Sequence, residues 1–341
     1  FESLRAHKPD LIMVSNTGYG HSGPWSNFGA MASALEPTHG TGAFMGYMEK
    51  GPDGRLSEGQ VPNKMGNSYS DFMATWTALG SLMAALLRRA RTGQGQWIDL
   101  AMYQTGTTVI GAGLLDYAFN GRRTQRIGNR HPVWSPHGVY PCQGHDQWVA
   151  IAARNEEEWQ AVCQSMGLPE LAFDPRFADP IERRLHQEEL DEIIAAWTSE
   201  KTSYQVMNDL QDAGAPAGAV LTAKQALTDP QYVDRGFFET VHNPPEAGLR
   251  PKGYVGRGWK FSRSEAGIRG PAPRLGEANG YILGELLGID QAKLKSLAED
   301  WTIGDTPEDG RAPGAVPLEE QVELGWIVEH DPGYLAELPP V

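Results

Sequence analysis

The chain has 341 residues, 40% of them apolar and 21% charged, which fits a globular protein with room for one large domain or two smaller ones. Its net charge of −14 argues against nucleic acid or an anionic membrane surface as the main partner. Two cysteines, Cys142 and Cys163, supply neither a disulfide framework nor metal-ligand spacing. A reducing cytoplasm is the natural reading of that cysteine usage; no apolar run reaches the length of a membrane span and no signal peptide is visible.

The chain opens Phe1-Glu2-Ser3, without an initiator methionine, in a helical run that leads straight into a strand over 11–16. Thr17-Gly18-Tyr19-Gly20-His21-Ser22-Gly23 follows that strand. Gly18, Gly20 and Gly23 lack side chains, so they either let backbone N–H groups approach a substrate or merely turn the chain. The run matches the spacing of a dinucleotide-binding loop. Yet Pro24-Trp25-Ser26 does not continue as a helix, and the next acid, Glu36, does not end a second strand. His21-Ser22 is no hydrolase signature, because there is no Gly-x-Ser-x-Gly elbow, and the nine histidines show no metal-ligand spacing.

The next strong element is a helix over 71–91. Apolar residues recur at 72, 73, 76, 79, 83, 86 and 87, Ser68 or Ser70 is placed to cap its start, and Arg88, Arg89 and Arg91 precede a stop at Thr92-Gly93. Asp71 therefore sits in a first turn, where the helix dipole favours the ionised form. An ionised, positioned carboxylate is a usable nucleophile, although a first-turn acid is also ordinary helix chemistry. A strand over 96–101 and a helix over 103–119 complete an α/β layer with a parallel sheet.

Residues 121–138 are rich in Gly, Arg, Pro and His and read as a linker. Arg122, Arg123, Arg126, Arg130 and His131 form the densest cationic stretch, suited to phosphate contact or to a solvated loop and salt bridges. Asn129 is either a site residue or a turn asparagine. Residues 139–228 read as a smaller α/β unit: two strands around Gln143-Gly144-His145-Asp146, then helices near 155–166 and 186–198. Residues 229–270 are Pro- and Gly-rich and irregular, 277–298 are helical, and 299–341 form an acidic, Pro-rich tail with no functional reading.

Several words stand in a fixed order: Gly18 to Trp25, Asp71 and its helix, Arg91-Thr92-Gly93-Gln94-Gly95-Gln96, Gly128-Asn129-Arg130-His131-Pro132, Pro136-His137-Gly138-Val139-Tyr140, Asp174-Pro175-Arg176-Phe177 and Pro273-Arg274-Leu275-Gly276-Glu277. Over about residues 3 to 298 this set resembles the class III coenzyme A-transferases, the CaiB/BaiF family. The resemblance implies an α/β fold: a Rossmann-like large domain, incomplete at its N-terminus, over 1–120 and a smaller α/β domain over 139–228. The linkers would be 121–138 and 229–298, the second ending in a helix returned to the large domain. It implies an interlocked homodimer or a paired subunit, and a chain lacking an upstream segment that holds many coenzyme A contacts. It implies Asp71 as the nucleophile, with Gly18, Gly20, Gly23, Asn129 and Arg130 toward coenzyme A. The substrates would be an acyl-CoA and a small organic acid, with no metal. Racemase members of the family pair the aspartate with a histidine in a Gly-His-Asp word. Here that region reads Phe28-Gly29-Ala30-Met31-Ala32, so racemisation ranks below transfer, and a non-catalytic half of a paired or tandem transferase stays as a further alternative.

Overall fold

A computed structural model describes residues 1–50, 56–57, 61–64, 69–306 and 316–337. The chain divides into two compact units, Phe1–Val220 and Leu221–Val341.

The first unit begins with a one-turn helix α1 (Glu2–Arg5) and strand β1 (Ile12–Thr17). Helix α2 (Ala32–Thr38) and a small β2–β3 pairing (Glu49–Lys50, Leu56–Ser57) precede the long helix α3 (Tyr69–Thr92). Strand β4 (Gln96–Ala101) returns beside β1, parallel and in register from Ile12 against Gln96 to Thr17 against Ala101. The parallel pairing expected from the sequence is therefore present, as a two-stranded sheet. A Cβ on Gly95 would overlap the Leu11 carbonyl, so the tight approach at the start of β4 needs glycine. The helix expected over 103–119 is divided into α4 (Met102–Thr107), a 3₁₀ turn Thr108–Ile110 and α5 (Gly111–Asn120). Two threonines and an isoleucine at the junction are weak helix formers, and the turn tightens there.

Helix α3 packs on β1, β4, α2 and α4 through small residues: Ser70, Ala74 and Ala85 are its buried positions. Several of its large apolar residues face outward, while Met73, Leu82 and Leu86 are half-buried. Phe72, Trp76, Met83 and Leu87 are each more than half exposed in the single chain. The periodicity marks a face of which 72, 76, 79, 83 and 87 are exposed, while the fully buried positions are small residues.

Residues 121–136 carry no helix or strand, and β5 (His137–Pro141) opens an antiparallel three-stranded sheet with β6 (Trp148–Ala152) and β7 (Ala217–Val220), in the order β5-β6-β7. Helices α6 (Glu156–Ser165), α7 (Pro180–Leu185), α8 (Gln187–Thr198) and α9 (Ser203–Ala213) fill the interval between β6 and β7. A contiguous buried cluster lies here: Tyr140, Val149, Ile151, Trp159, Val162, Cys163, Phe177, Leu190, Ile194, Val206 and Leu210, with flanking residues up to Ala215. Helix α9 has no counterpart in the sequence reading. Its Thr202–Gln205 capping box is nevertheless legible, with Thr202 accepting from the Gln205 N–H and the Gln205 side chain returning to the Thr202 N–H.

Asp174-Pro175-Arg176-Phe177 forms a tight local pin. Arg176 donates to Asp174 through Nε (3.0 Å) and Nη2 (2.7 Å), pairs with Glu189, and covers the Phe177 ring at 5.0 Å. The Arg176 side chain, then the Arg176 backbone N–H, hold the Asp174 carboxyl down at about 2 against an ordinary 3.8. The folded pKa lies below the unfolded one, so this contribution to stability is full above about pH 4 and is lost as pH falls toward about 2. In urea titrations across that window, Arg176→Gln is expected to flatten the acid loss relative to wild type. Identical slopes would contradict the assignment.

The second unit holds α10 (Ala223–Thr228), α11 (Pro230–Asp234), a hairpin of β8 (Phe238–Val241) with β9 (Lys252–Val255), a π-helical turn Gly280–Leu286, α12 (Gln291–Glu299) and α13 (Leu318–Glu323). The stretch 229–270, read as irregular, thus contains the β8–β9 ladder. Its apolar residues (Phe238, Val241, Tyr254, Val255) are too sparse among Gly and Pro to mark a period. The helical stretch expected over 277–298 is broken at Gly288, whose φ is +69°.

Candidate active site

Asp71 lies in the first turn of α3, exposed, and no described residue gives its carboxylate an ion pair or hydrogen bond. At the other end Arg88 donates to the Gln94 carbonyl, and Arg89 donates to the Asp10 carbonyl with the Asp10 carboxylate 3.9 Å away. The helix ends on Gly93, with φ +70°. Asp71 therefore has the electrostatic setting of a first-turn acid without a fixed counter-ion.

The cap expected from serine is not made by Ser70, and Ser68 lies outside the described residues. Ser70 is fully buried inside the helix and its hydroxyl has no partner among the described residues. The acceptor comes from α2 instead: the Tyr69 N–H donates to Glu36 Oε1 at 2.9 Å. Glu36 and His39 are almost wholly buried, and the second Glu36 oxygen and both His39 nitrogens find no partner among the described residues. Burial pushes the His39 pKa down, partly opposed by the charge of Glu36, while burial and then Glu36 push that of Tyr69 up. The His39 and Tyr69 rings stand edge-on, 6.1 Å apart. Sequence reasoning gave Glu36 no such role. The only signal is a hydrogen bond across 33 positions, which local spacing does not carry.

The glycine loop is fastened from several sides. A Cβ on Gly18 would overlap that of Ala30, and Leu35 of α2 lies against the same position. The Gly18 carbonyl accepts from the Tyr103 N–H at 2.9 Å. Gly20 and Gly23 have φ values of +91° and +87°, which favour glycine. The Gly20 N–H donates to Thr17 Oγ1 (3.0 Å) and the His21 N–H to both Asp99 oxygens (3.1 Å each), so these two donors are engaged within the chain.

Asn129 and Arg130 line a cleft of about 400 Å³ together with Tyr47, Met48, His137, Tyr140 and Asp191. The Asn129 carbonyl bonds to His137 Nδ1 at 2.6 Å. Arg130 donates to Asp191 (3.1 Å), which also accepts from the Tyr140 hydroxyl (2.8 Å). Burial raises the Asp191 pKa against the opposing pull of Tyr140 and Arg130. Two more arginines of this stretch are likewise engaged: Arg122 pairs with Asp116 and Arg126 donates to the Gly42 carbonyl. His131 is not a cation here. Its Nδ1 accepts the N–H groups of Val133 and Trp134, and burial, then His137 and Arg184, push its pKa down.

One segment joins these parts. Residues 35–48 touch the glycine loop through Leu35 and hold the start of α3 through Glu36. They also meet the 126–130 stretch through the Gly42 and Gly46 carbonyls, the latter accepting from the Gly128 N–H at 2.9 Å. Asp71 itself lines none of the clefts described here. Among the described residues no group of three or more His, Cys, Asp or Glu could hold a metal, and no helix is long and apolar enough to cross a membrane.

A family model described as CoA-transferase family III matches residues 1–279. A succinyl-CoA–D-citramalate CoA-transferase of Chloroflexus aurantiacus is 35% identical over 298 residues, covering 87% of this chain and 70% of that protein. A succinate–glutarate CoA-transferase of Agrobacterium fabrum is 29% identical over 294 residues, covering 85% and 69%. The crystal structure of a CAIB/BAIF family protein from Brucella suis superposes with a TM-score of 0.71 at 27% identity, over 84% of this chain and 70% of that one.

Proposed function

Because the chain belongs to CoA-transferase family III, we propose that Asp71 is the nucleophile of a reaction that moves coenzyme A from an acyl-CoA donor to an organic acid. One observation carries the assignment: Asp71 is a first-turn carboxylate, solvent-accessible and without a partner among the described residues. Its lone pairs are free to attack a thioester, as a nucleophile requires, and turnover rather than pairing distinguishes it from a first-turn acid that only stabilises the helix.

The exchange balances without an outside energy source. An Asp71 oxygen attacks the thioester carbonyl, the C–S bond breaks and the CoA thiolate leaves, giving a mixed anhydride. The thiolate attacks the Asp71 carbonyl, releasing the donor acid and leaving an aspartyl-CoA thioester. The acceptor carboxylate attacks that thioester and expels the thiolate, which then takes the acceptor acyl group and restores Asp71. Each intermediate is open to hydrolysis, so the working site must exclude water. The exposed stripe Phe72, Trp76, Met83 and Leu87 supports a dimeric working form, in which a second chain covers the helix that carries Asp71. The fastened Gly18–Gly23 loop and the Asn129–Arg130 cleft remain our candidates for contacts to coenzyme A. Arg130 would have to share its charge with Asp191 to serve there.

Dicarboxylates in the names of both transferase relatives point to a dicarboxylic acceptor. A mass-spectrometric screen of the whole protein with succinyl-CoA and a panel of mono- and dicarboxylic acids is expected to yield new acyl-CoA species, most from dicarboxylates. Transfer confined to monocarboxylates would overturn the acceptor class. Deuterium entering the α-carbon of a 2-methylacyl-CoA without acyl exchange would replace transfer by racemisation.

A further inference from the structure

The first N–H groups of a helix have no partner within it and must be held from outside, or the first turn frays. For α3 the usual local solution is not in use at Ser70, which is buried within the helix. The Tyr69 N–H has its acceptor in a carboxylate from another helix. Glu36 Oε1 takes the Tyr69 N–H at 2.9 Å, two residues before Asp71.

Glu36 is itself rigidly placed. Its own carbonyl accepts the Thr41 hydroxyl at 2.8 Å, and the neighbouring Leu35 is 1% exposed against Gly18. Three residues on, the His39 carbonyl accepts the Thr107 hydroxyl (3.2 Å), and the His39 ring lies so close over Gly106 that a Cβ there would collide with it. An acid at 3% exposure with one oxygen unpartnered among the described residues is a destabilising choice for a core position. Among the described residues, the Tyr69 bond and the positive end of α3 offset it. Buried polar groups that satisfy themselves so incompletely call for a role beyond packing.

We propose that Glu36 is a positioning residue: its carboxylate pins the first turn of α3 and thereby sets where the Asp71 carboxylate points. The inference rests on the reading of Asp71 as nucleophile. Its role is to supply an acceptor at a fixed place, so an amide oxygen at the same place should serve. Without an acceptor the Tyr69 turn loosens, and Asp71 moves relative to a thioester held by other parts of the molecule. Misplacing a reacting group by about 1 Å costs about 100-fold in rate.

The test compares Glu36→Gln, which keeps the acceptor, with Glu36→Met, which keeps the volume and loses it. Assays use the whole protein below the thermal midpoint of each variant. Glu36→Met is expected to lower kcat by about 10- to 100-fold with KM for the acyl-CoA within about 3-fold, and to slow acylation of Asp71 equally. Glu36→Gln is expected to keep kcat within about 5-fold. Tyr69→Pro removes the donor at a helix position that tolerates proline, and is expected to lower kcat as Glu36→Met does, which keeps the question open to test should the methionine variant not fold. Equal kcat in the Met and Gln variants, or a kcat loss matched by an equal rise in KM, would overturn the inference. Activity surviving Asp71→Ala removes the nucleophile reading and this inference with it. An inactive Asp71→Ala beside a Glu36→Met or Tyr69→Pro of wild-type kcat overturns the inference alone.

Discussion

Replacing Asp71 by alanine or asparagine is expected to lower acyl exchange by at least about 10³-fold while leaving the protein folded. Both halves of this expectation come from the same geometry. The carboxylate is exposed and makes no hydrogen bond or ion pair with a described residue, so removing it breaks none among them. What is lost is a first-turn charge at the positive end of α3, worth about 0.5 kcal/mol. A thermal midpoint within a few degrees of wild type should therefore accompany the loss of turnover. A merely helix-stabilising acid would show the same small change in midpoint with turnover intact. Steady-state rates and a melting curve on the same preparation separate the two.

The largest expected effect on stability lies elsewhere, at Arg183. This side chain is 1% exposed, in the layer that packs on the β5–β6–β7 sheet. Its Nε donates to the Ser135 carbonyl (2.9 Å) and its Nη1 to the Phe177 carbonyl (3.0 Å), and it forks onto Glu156 at 2.7 and 3.1 Å. Its guanidinium also lies 5.4 Å from the centroid of the buried Trp159 ring. Four hydrogen bonds from one planar group thus tie the 135–136 stretch, the loop before α7 and the start of α6 into one packed body. Arg183→Ala strands two buried carbonyls and opens a cavity beside Trp159, so it is expected to destabilise by about 3–5 kcal/mol in urea unfolding. Glu156→Gln is expected to cost under about 1 kcal/mol, because that carboxylate is 45% exposed and water replaces much of the pairing. If the two variants cost the same, the ion pair rather than the buried carbonyls carries the effect.

Much of the fold was legible in the sequence where local chemistry and periodicity agree. The α3 stripe, its terminal arginines and the Gly93 stop give that helix its limits to within a residue or two. The alternation in Trp148-Val149-Ala150-Ile151-Ala152 marks a half-buried strand, and β6 shows it, with Val149 and Ile151 buried and Trp148 and Ala150 exposed. What stayed illegible depends on distant contacts. The stripe on α3 shows which residues are apolar but not that small residues such as Ala74 and Ala85 meet the sheet. The Glu36–Tyr69 bond joins positions with no shared motif. In the 121–131 stretch, charge density left phosphate contact, a solvated loop and salt bridges open; Arg122 pairs with nearby Asp116, while Arg126 and Arg130 are engaged by the distant Gly42 and Asp191. The words that carry the family resemblance behave unevenly in the same way. Asp71 projects freely, whereas Gly20 and Asp174 are committed to internal bonds that hold a loop and a turn in place.

The most direct test of the central claim is peptide mass spectrometry of the whole protein incubated with acyl-CoA and quenched with hydroxylamine. An activated acyl group on the Asp71 side chain should be captured as a hydroxamate in the peptide spanning that residue. The modification should depend on acyl-CoA and be absent from Asp71→Ala. An enzyme that turns over acyl-CoA under the same conditions with an unmodified Asp71, or with the hydroxamate on a different carboxylate, would contradict the assignment.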